Sequence, residues 1–284
     1  MLSRHALDKS LTGLIRVAFY ISMALLLGLI FAISFRGISA ISLNFLFLPA
    51  RDFGASGGIF YQIFGSVLMV TIAAVLTLPI ALGTAIYSSE YMRSNRKKRV
   101  LELTLLSLNG IPSITYGIFG LILFVNVLGT GISWLVGSVI LAIMMLPTVT
   151  LSTVQSMRSL PVTFRENGFA LGFSRAEVIR FIVVPQGLQG LVTGLLLGLA
   201  RAIGETAPIM FIATAFSGVT VPVSVVEPVS TLPTHILALA QQATNPAALK
   251  NAWGASFVLL SIVFLLSLSA FYARTRLKNL NQRL

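Results

Sequence analysis

The sequence has 284 residues, of which 56% are hydrophobic and 10% are charged, whereas a soluble globular protein carries roughly 25% charged residues. This composition excludes an ordinary soluble fold. The net charge of +12 comes from basic residues that lie in short clusters between long uncharged runs, which excludes a continuous nucleic-acid-binding stripe. The absence of cysteine excludes thiolate catalysis and cysteine-based metal sites. We therefore predict an all-α, polytopic membrane protein with no nucleic-acid partner.

Six segments are apolar and long enough to cross a membrane as helices, which takes about 20 residues. They are 17–35, 63–88, 103–127, 132–151, 188–213 and 252–273. The basic residues before the first span also suit a signal peptide, but its apolar stretch exceeds the usual length of about 7–15 residues and no small-residue cleavage site follows. We interpret it as a retained anchor. The chain then divides into a tail, anchor and outer loop (1–60) and a main transmembrane unit (61–284).

The distribution of Lys and Arg predicts the orientation. Sixteen lie in the two tails and in the loops around 93–99 and 158–180, whereas only Arg36, Arg51 and Lys250 lie on the other face. The positive-inside rule then places both termini and the basic loops in the cytoplasm, where they also attract anionic membrane lipid.

The long outer loop, 217–251, contains four prolines and a short amphipathic stretch at 233–243. We predict that this stretch is a helix on the membrane surface, with Ile236, Leu237 and Ala240 buried there. Such a helix would cap the outer end of a cavity. A loop at the membrane surface with no gating task is an equally open alternative.

The loop at 161–185 carries the most specific local signals. Thr163 with Glu166, and Ser174 with Glu177, have the spacing of capping boxes that start helices. Gly172 between them is typical of a left-handed C-terminal cap. We predict a rigid elbow of two short helices meeting at this glycine, with the loop ending at Pro185.

The same loop resembles the coupling helix by which permease subunits of bacterial ABC importers hold their ATP-binding partners. Glu166, Gly172, Ile182 and Pro185 have the spacing of its E-A-A, G and I-x-L-P signature, although Asn167-Gly168 replaces the double alanine and Val184 replaces leucine. A surface helical hairpin with chance spacing is the plain structural alternative.

Arg201 and Glu205 are the only charged residues inside the six predicted spans. An arginine at the centre of a bilayer costs roughly 3 kcal/mol, so it needs a partner, and four residues on a helix place Glu205 on the same face. The guanidinium fork suits a tetrahedral oxyanion, and the carboxylate keeps binding weak enough for release. A structural salt bridge is the alternative. We also predict that Pro208 bends this span and that the glycines at 190, 194 and 198 allow another helix to approach closely.

The segment from Arg201 to Pro208 resembles the R-x-x-G-E-T-A-P segment of the A-type membrane permease subunit of phosphate-specific ABC importers. The stretches G-I-P-S at 110–113 and Y-S-S-E-Y at 87–91 agree as well, so the similarity covers about 57–273. The resemblance implies a type I ABC importer permease fold in the bacterial inner membrane. It also implies substrate-binding roles for Arg201, Glu205 and Thr206, and ATPase-coupling roles for Glu166, Gly172, Ile182 and Pro185.

The partners that the resemblance implies are a second homologous permease subunit, a dimer of cytoplasmic ATP-binding subunits and a periplasmic phosphate-binding protein. The sequence has no G-x-x-x-x-G-K-[ST] loop, so we assign ATP hydrolysis to the partners and expect no metal or cofactor. An intramembrane enzyme is disfavoured because His5 and His235 lie outside the spans, and a self-contained channel or proton-coupled carrier would not need the elbow. A permease for sulfate, molybdate or an organic phosphate remains open, since an arginine fork does not distinguish tetrahedral anions.

Overall fold

The computed structural model describes residues 2–215, 221–242 and 244–281 and is almost entirely helical, which confirms the predicted all-α class. The helices are α1 (Leu2–Gly37), α2 (Leu43–Phe47), α3 (Phe60–Ile86), α4 (Asn95–Gly110), α5 (Ser113–Gly120), α6 (Trp134–Arg158), α7 (Val162–Ala170), α8 (Arg175–Val178), α9 (Val184–Ala202), α10 (Ala207–Ile212), α11 (Leu232–Gln241) and α12 (Pro246–Asn281). Wider π-helical turns extend α3 (Tyr87–Tyr91) and α5 (Leu121–Val127) and join α8 to α9 (Ile179–Val183). Two short strands, β1 (Ala50–Arg51) and β2 (Ser56–Gly57), pair antiparallel between α2 and α3.

Five stretches of the described chain are long and apolar enough to cross a membrane as single helices, and a sixth crossing exists if a bent pair counts as one span. The five are Leu11–Ala40, Phe60–Tyr91, Trp134–Arg158, Arg175–Ala202 and Pro246–Ala273; the bent pair is Asn95–Gly110 with Ser113–Val127. The helices are longer than the predicted apolar segments because hydrogen bonding along a helix continues past the point where the side chains become polar. The chain is therefore a multi-pass membrane protein.

Two of the predicted spans are not continuous, contrary to the prediction. The third breaks at Gly110–Pro112, where the two helical halves meet at 91°. Ile111 is extended (ψ 132°), because a proline disfavours helical geometry in the residue before it. The fifth span breaks after Ala202 and resumes at Ala207, with Pro208 in the first turn of α10. Proline is tolerated there because its missing N–H has no helical partner in a first turn. The span is thus interrupted before Pro208, whereas the predicted bend at this proline stays a prediction.

The core lies around α6, which packs between α3 and α9. Met69, Ile140, Leu141, Val149 and Ile212 are almost completely buried in it. The predicted close helix approach is confirmed, because a Cβ at Gly190 or Gly194 would collide with the main chain of α6 near Ser152 and Val149 respectively. Packing at this separation fixes the position of α9 relative to α6.

The ends of the spans form two groups. The loops at 92–94 and 159–174 lie at one end, which we call the basic end. At the opposite end, Ser133 N–H donates to the Ile212 carbonyl (2.9 Å) and the Trp134 indole donates to the Ser224 carbonyl (3.0 Å). The last turn of α1 packs there against α12, with the Arg36 guanidinium 5.0 Å from the centroid of the Trp253 ring.

Helix α11 at the opposite end confirms the predicted helical element. Thr231 and Thr234 form a capping box at its start, and Leu232 and Leu239 are buried against α3 and α12. Ile236 and Leu237 are half-buried and Ala240 is exposed within the chain, so their burial at a membrane surface stays a prediction. The predicted last residue, Ala243, lies outside the described residues.

His235 on α11 predicts an acid-dependent loss of stability. Its side chain is 4% exposed, its Nε2 makes no hydrogen bond with any residue that the structure describes, and burial lowers its pKa from 6.5 to about 4. The unfolded chain therefore takes up a proton first, so the full stability is present above pH 6.5 and falls as the pH drops towards 4, by up to about 3 kcal/mol. Thermal unfolding in detergent from pH 7 to pH 4 measures this loss. His235→Gln should flatten the profile, and an equally steep profile in that variant would assign the loss to other groups.

Candidate functional site

Arg201 stands at the centre of a polar cluster that joins three helices. Its Nε donates to Glu205 Oε1 at 3.3 Å, and its Nη1 donates to Asn109 Oδ1 at 3.0 Å. The same Asn109 oxygen accepts a hydrogen bond from Thr148 Oγ1 at 3.3 Å. The predicted ion pair is therefore present, but Glu205 does not lie on the same helix as Arg201. It lies in the break after α9, where its N–H donates to the Ala202 carbonyl at 3.2 Å.

The cluster lies at membrane depth and is open on one side. Thr148 is near the middle of α6 (Trp134–Arg158), while the side chains of Arg201 and Glu205 are 41% and 14% exposed. A charged side chain at this depth is stable only against protein or water, because lipid offers it no partner. The open side of the cluster consequently faces either a partner subunit or a water-filled path.

The two helix breaks meet at this cluster. Asn109 immediately precedes the break in the third span, and Arg201 immediately precedes the break in the fifth. Helices α5 and α10, which follow the breaks, pack so closely that a Cβ at Gly117 would collide with Pro208. Non-helical backbone at membrane depth is tolerated where it is buried in protein or lines a cavity. The breaks thus leave non-helical backbone beside the polar cluster.

Thr206, the third predicted substrate-binding residue, is not joined to the other two by any hydrogen bond among the described residues. It is half-buried and precedes α10 without making a side-chain cap hydrogen bond, so no observed contact ties it to the Arg201–Glu205 pair. Asn109 and Thr148 were missed by the sequence analysis. The only local signal for Asn109 was its position before the G-I-P-S stretch, since its partner Arg201 is 92 residues away along the chain.

A separate polar cavity of about 210 Å³ lies between α6 and α9, nearer the basic end than the cluster. It is lined by Ser152, Ser156, Gln189, Gly190 and Thr193. Gln189 and Thr193 belong to the four-residue row that leads through Leu197 to Arg201, so they share one face of α9 with the arginine. This face therefore carries polar groups on both sides of the exposed, apolar Leu197.

The elbow at the basic end has the predicted glycine and one of the two predicted capping boxes. Gly172 is left-handed (φ 86°), and Ser174 and Glu177 form a capping box. The box predicted at Thr163 was wrong. Helix α7 starts at Val162 directly after Pro161, with no side-chain cap, and Thr163 lies inside the helix.

The second arm of the elbow, the helix that follows Gly172, is longer than predicted. Pro185 does not end the loop, because the helical stretch Arg175–Ala202 continues through it as one candidate span. Glu166 and Pro185 are exposed, whereas Ile182 packs directly beneath Gly168 of α7. Phe169 and Leu171 at the tip are 51% and 77% exposed. One helical element therefore connects the elbow directly with Arg201.

The fold and the site together define a helical membrane permease, with a partly exposed polar cluster at membrane depth and an elbow that projects at the basic end. Residues 78–279 match the family described as "Binding-protein-dependent transport system inner membrane component". The chain belongs to this family and is an ABC importer permease subunit.

Individual relatives agree with this assignment. The chain is 30% identical to "Probable ABC transporter permease protein YqgI" of Bacillus subtilis (strain 168), over 96% of this chain and 97% of that protein. It is 33% identical to "Phosphate transport system permease protein PstA 1" of Mycobacterium tuberculosis (strain ATCC 25618 / H37Rv), over 77% of this chain and 70% of that protein. Among solved structures, the MetNI methionine ABC transporter in an inward-facing conformation has a chain with a TM-score of 0.60 and 15% identity, covering 76% of this chain and 94% of that one. This structural likeness confirms the type I importer permease fold.

Proposed function

We propose that this chain is the permease subunit of an ATP-driven importer of inorganic phosphate and that it forms half of the translocation pathway. The observation that best supports this function is the Arg201 guanidinium, which Glu205 and Asn109 hold by hydrogen bonds on a partly exposed polar surface at membrane depth. Arg201, Glu205 and Thr206 line the transient substrate site. A second, homologous permease subunit covers the open side of this face.

The chemistry of the cluster favours phosphate over the other tetrahedral oxyanions. Arg201 donates hydrogen bonds to anionic oxygens, whereas the Glu205 carboxylate only accepts them. Phosphate still carries a proton at neutral pH and satisfies both groups, whereas sulfate and molybdate carry none and are repelled by the carboxylate. The phosphate-transport relative described above agrees with this choice, although the methionine transporter shows that this fold also serves other cargo.

The elbow couples this site to ATP hydrolysis in the partner subunits. Under the positive-inside rule the basic end is cytoplasmic, so Glu166, Gly172, Ile182 and Pro185 contact a dimer of ATP-binding subunits there. A periplasmic phosphate-binding protein delivers cargo to the opposite end. Movement of the elbow reaches Arg201 because Arg175–Ala202 is one helical stretch.

Uptake by the complete complex in proteoliposomes tests the cargo. Radiolabelled phosphate, sulfate and molybdate are supplied separately, with ATP and without it. We expect ATP-dependent uptake of phosphate alone. Uptake of sulfate or molybdate in place of phosphate would overturn the proposal in favour of another oxyanion permease.

A further inference from the structure

The elbow holds the end of the second span through a glutamate that the substrate site does not use. Arg165 on α7 donates from Nε and Nη2 to Glu90 Oε1, at 3.2 and 2.9 Å. The same guanidinium donates to the carbonyls of Leu160 (3.0 Å) and Met157 (3.1 Å) at the end of α6. Ser89 Oγ adds a hydrogen bond to this carboxylate oxygen at 2.8 Å.

The other arm of the elbow reaches the same residue. Arg175, at the start of α8, donates from Nη2 to the Glu90 carbonyl, and its guanidinium lies 4.3 Å from the centroid of the Tyr91 ring. One arginine from each side of Gly172 therefore binds Glu90. Arg165 binds the Glu90 carboxylate, and Arg175 binds the Glu90 main-chain carbonyl. A movement of either arm pulls on the end of α3.

Burial distinguishes this pair from an ordinary surface ion pair. The side chains of Arg165 and Glu90 are 18% and 11% exposed. Arg158 and Glu102, also at the basic end, are 3.7 Å apart and 36% and 51% exposed. Exposed ion pairs contribute little to the stability of the fold, whereas removing one partner of a buried pair leaves an uncompensated buried charge. Glu90 is therefore held in one geometry, which a mechanical link requires.

The far end of the second span is attached just as closely to the outer loop. Ser66 Oγ on α3 accepts a hydrogen bond from Leu232 N–H, the first residue of α11, at 2.8 Å. A Cβ at the neighbouring Gly65 would collide with the Ser230 carbonyl. The stretch Phe60–Tyr91 thus runs from the start of α11 to the elbow as one helical element.

We propose that Glu90 is a positioning residue that ties the elbow to the second span, so that α3 follows the elbow and carries its movement to α11. This role rests on the proposed contact between the elbow and the ATP-binding subunits. The movement of the elbow would then be transmitted by two helices, by α9 towards Arg201 and by α3 towards the opposite end. Glu90 touches neither cargo nor nucleotide in this role.

A double-mutant cycle tests whether the pair acts as one unit. We expect Glu90→Gln and Arg165→Gln each to lower the amount of cargo moved per ATP hydrolysed by about tenfold, while the ATP-binding subunits still co-purify. The double variant should be no worse than the more severe single variant, because both changes remove the same interaction. Glu102→Gln is the matched control and should transport normally. Unchanged coupling in the single variants, or losses that multiply in the double variant, would overturn the proposal.

A distance measurement tests the link without reference to the cargo. The sequence has no cysteine, so spin labels can be placed by Ala170→Cys on α7 and Val75→Cys on α3, both exposed positions. In the assembled complex with Glu90 intact, we expect the same distance before and after ATP binding, because the elbow and α3 move together. With Glu90→Gln the distance should change on ATP binding. A distance that changes with Glu90 intact would refute the link, even if phosphate uptake were normal; absent phosphate uptake with a constant distance would refute only the proposed cargo.

Discussion

Replacing Arg201 by Lys should lower the initial rate of phosphate uptake by roughly tenfold to a hundredfold, the range that corresponds to losing one charged hydrogen bond. The lysine keeps the charge but is a point donor. It cannot hold Glu205 and Asn109 in one plane while presenting a fork to an anion. Uptake of radiolabelled phosphate in proteoliposomes that contain equal amounts of complex measures this rate.

Arg36→Lys is the matched control, because Arg36 is an arginine at the end of a span, beside Trp253 and away from the cluster. This variant should transport like the unchanged protein. Equal amounts of co-purified ATP-binding subunits in both variants will show that the elbow is intact. Normal uptake by Arg201→Lys would remove Arg201 from the substrate site.

Replacing Gly172 by Val should reduce transport more than tenfold by displacing the two arms of the elbow. A Cβ at this position would meet no atom of the described residues within 4 Å, so the effect is conformational: φ is 86°, a value that a β-branched residue strongly disfavours. The left-handed conformation costs an ordinary residue about 1–2 kcal/mol. Co-purification of the ATP-binding subunits and transport per ATP hydrolysed measure the loss of coupling.

Gly172→Asn provides the comparison, since asparagine enters the left-handed region more readily than other residues with a side chain. We expect it to retain most of the transport activity. A Val variant that binds the ATP-binding subunits and transports as well as the Asn variant would contradict the coupling role of this glycine.

Features with a local cause were predictable from the sequence. The ion pair of Arg201 with Glu205 depends on four residues of chain, and the turn at Gly172 depends on one residue and its immediate neighbours. The six apolar segments follow from hydropathy alone, which reports where a helix is lipid-compatible. It does not report where the helix begins, as the longer observed helices show.

Features that depend on distant contacts were not predictable. Asn109 reaches Arg201 across 92 residues and Glu90 reaches Arg165 across 75, and no local spacing indicates either pair. The two breaks were underestimated because contacts that no local spacing indicates stabilise them. Tyr116 OH donates to the Leu108 carbonyl at 2.8 Å across the first break, and the absence of a side chain at Gly117 lets α5 pack against Pro208 after the second. The error at Thr163 has a local cause, because Pro161 starts the helix before the predicted capping residue is reached.

In the proposed function, Arg201 borders a water-filled route through which phosphate passes. Gly204→Cys tests it most directly, because Gly204 is exposed in the break beside Arg201 and the chain has no other cysteine. Leu25→Cys is the lipid-facing control, since this side chain is 70% exposed on α1. In the complete complex, a membrane-impermeant thiol reagent should modify Gly204→Cys but not Leu25→Cys, and phosphate should slow the modification whereas sulfate should not. Absence of modification at position 204, or a rate that phosphate does not change, would contradict the account.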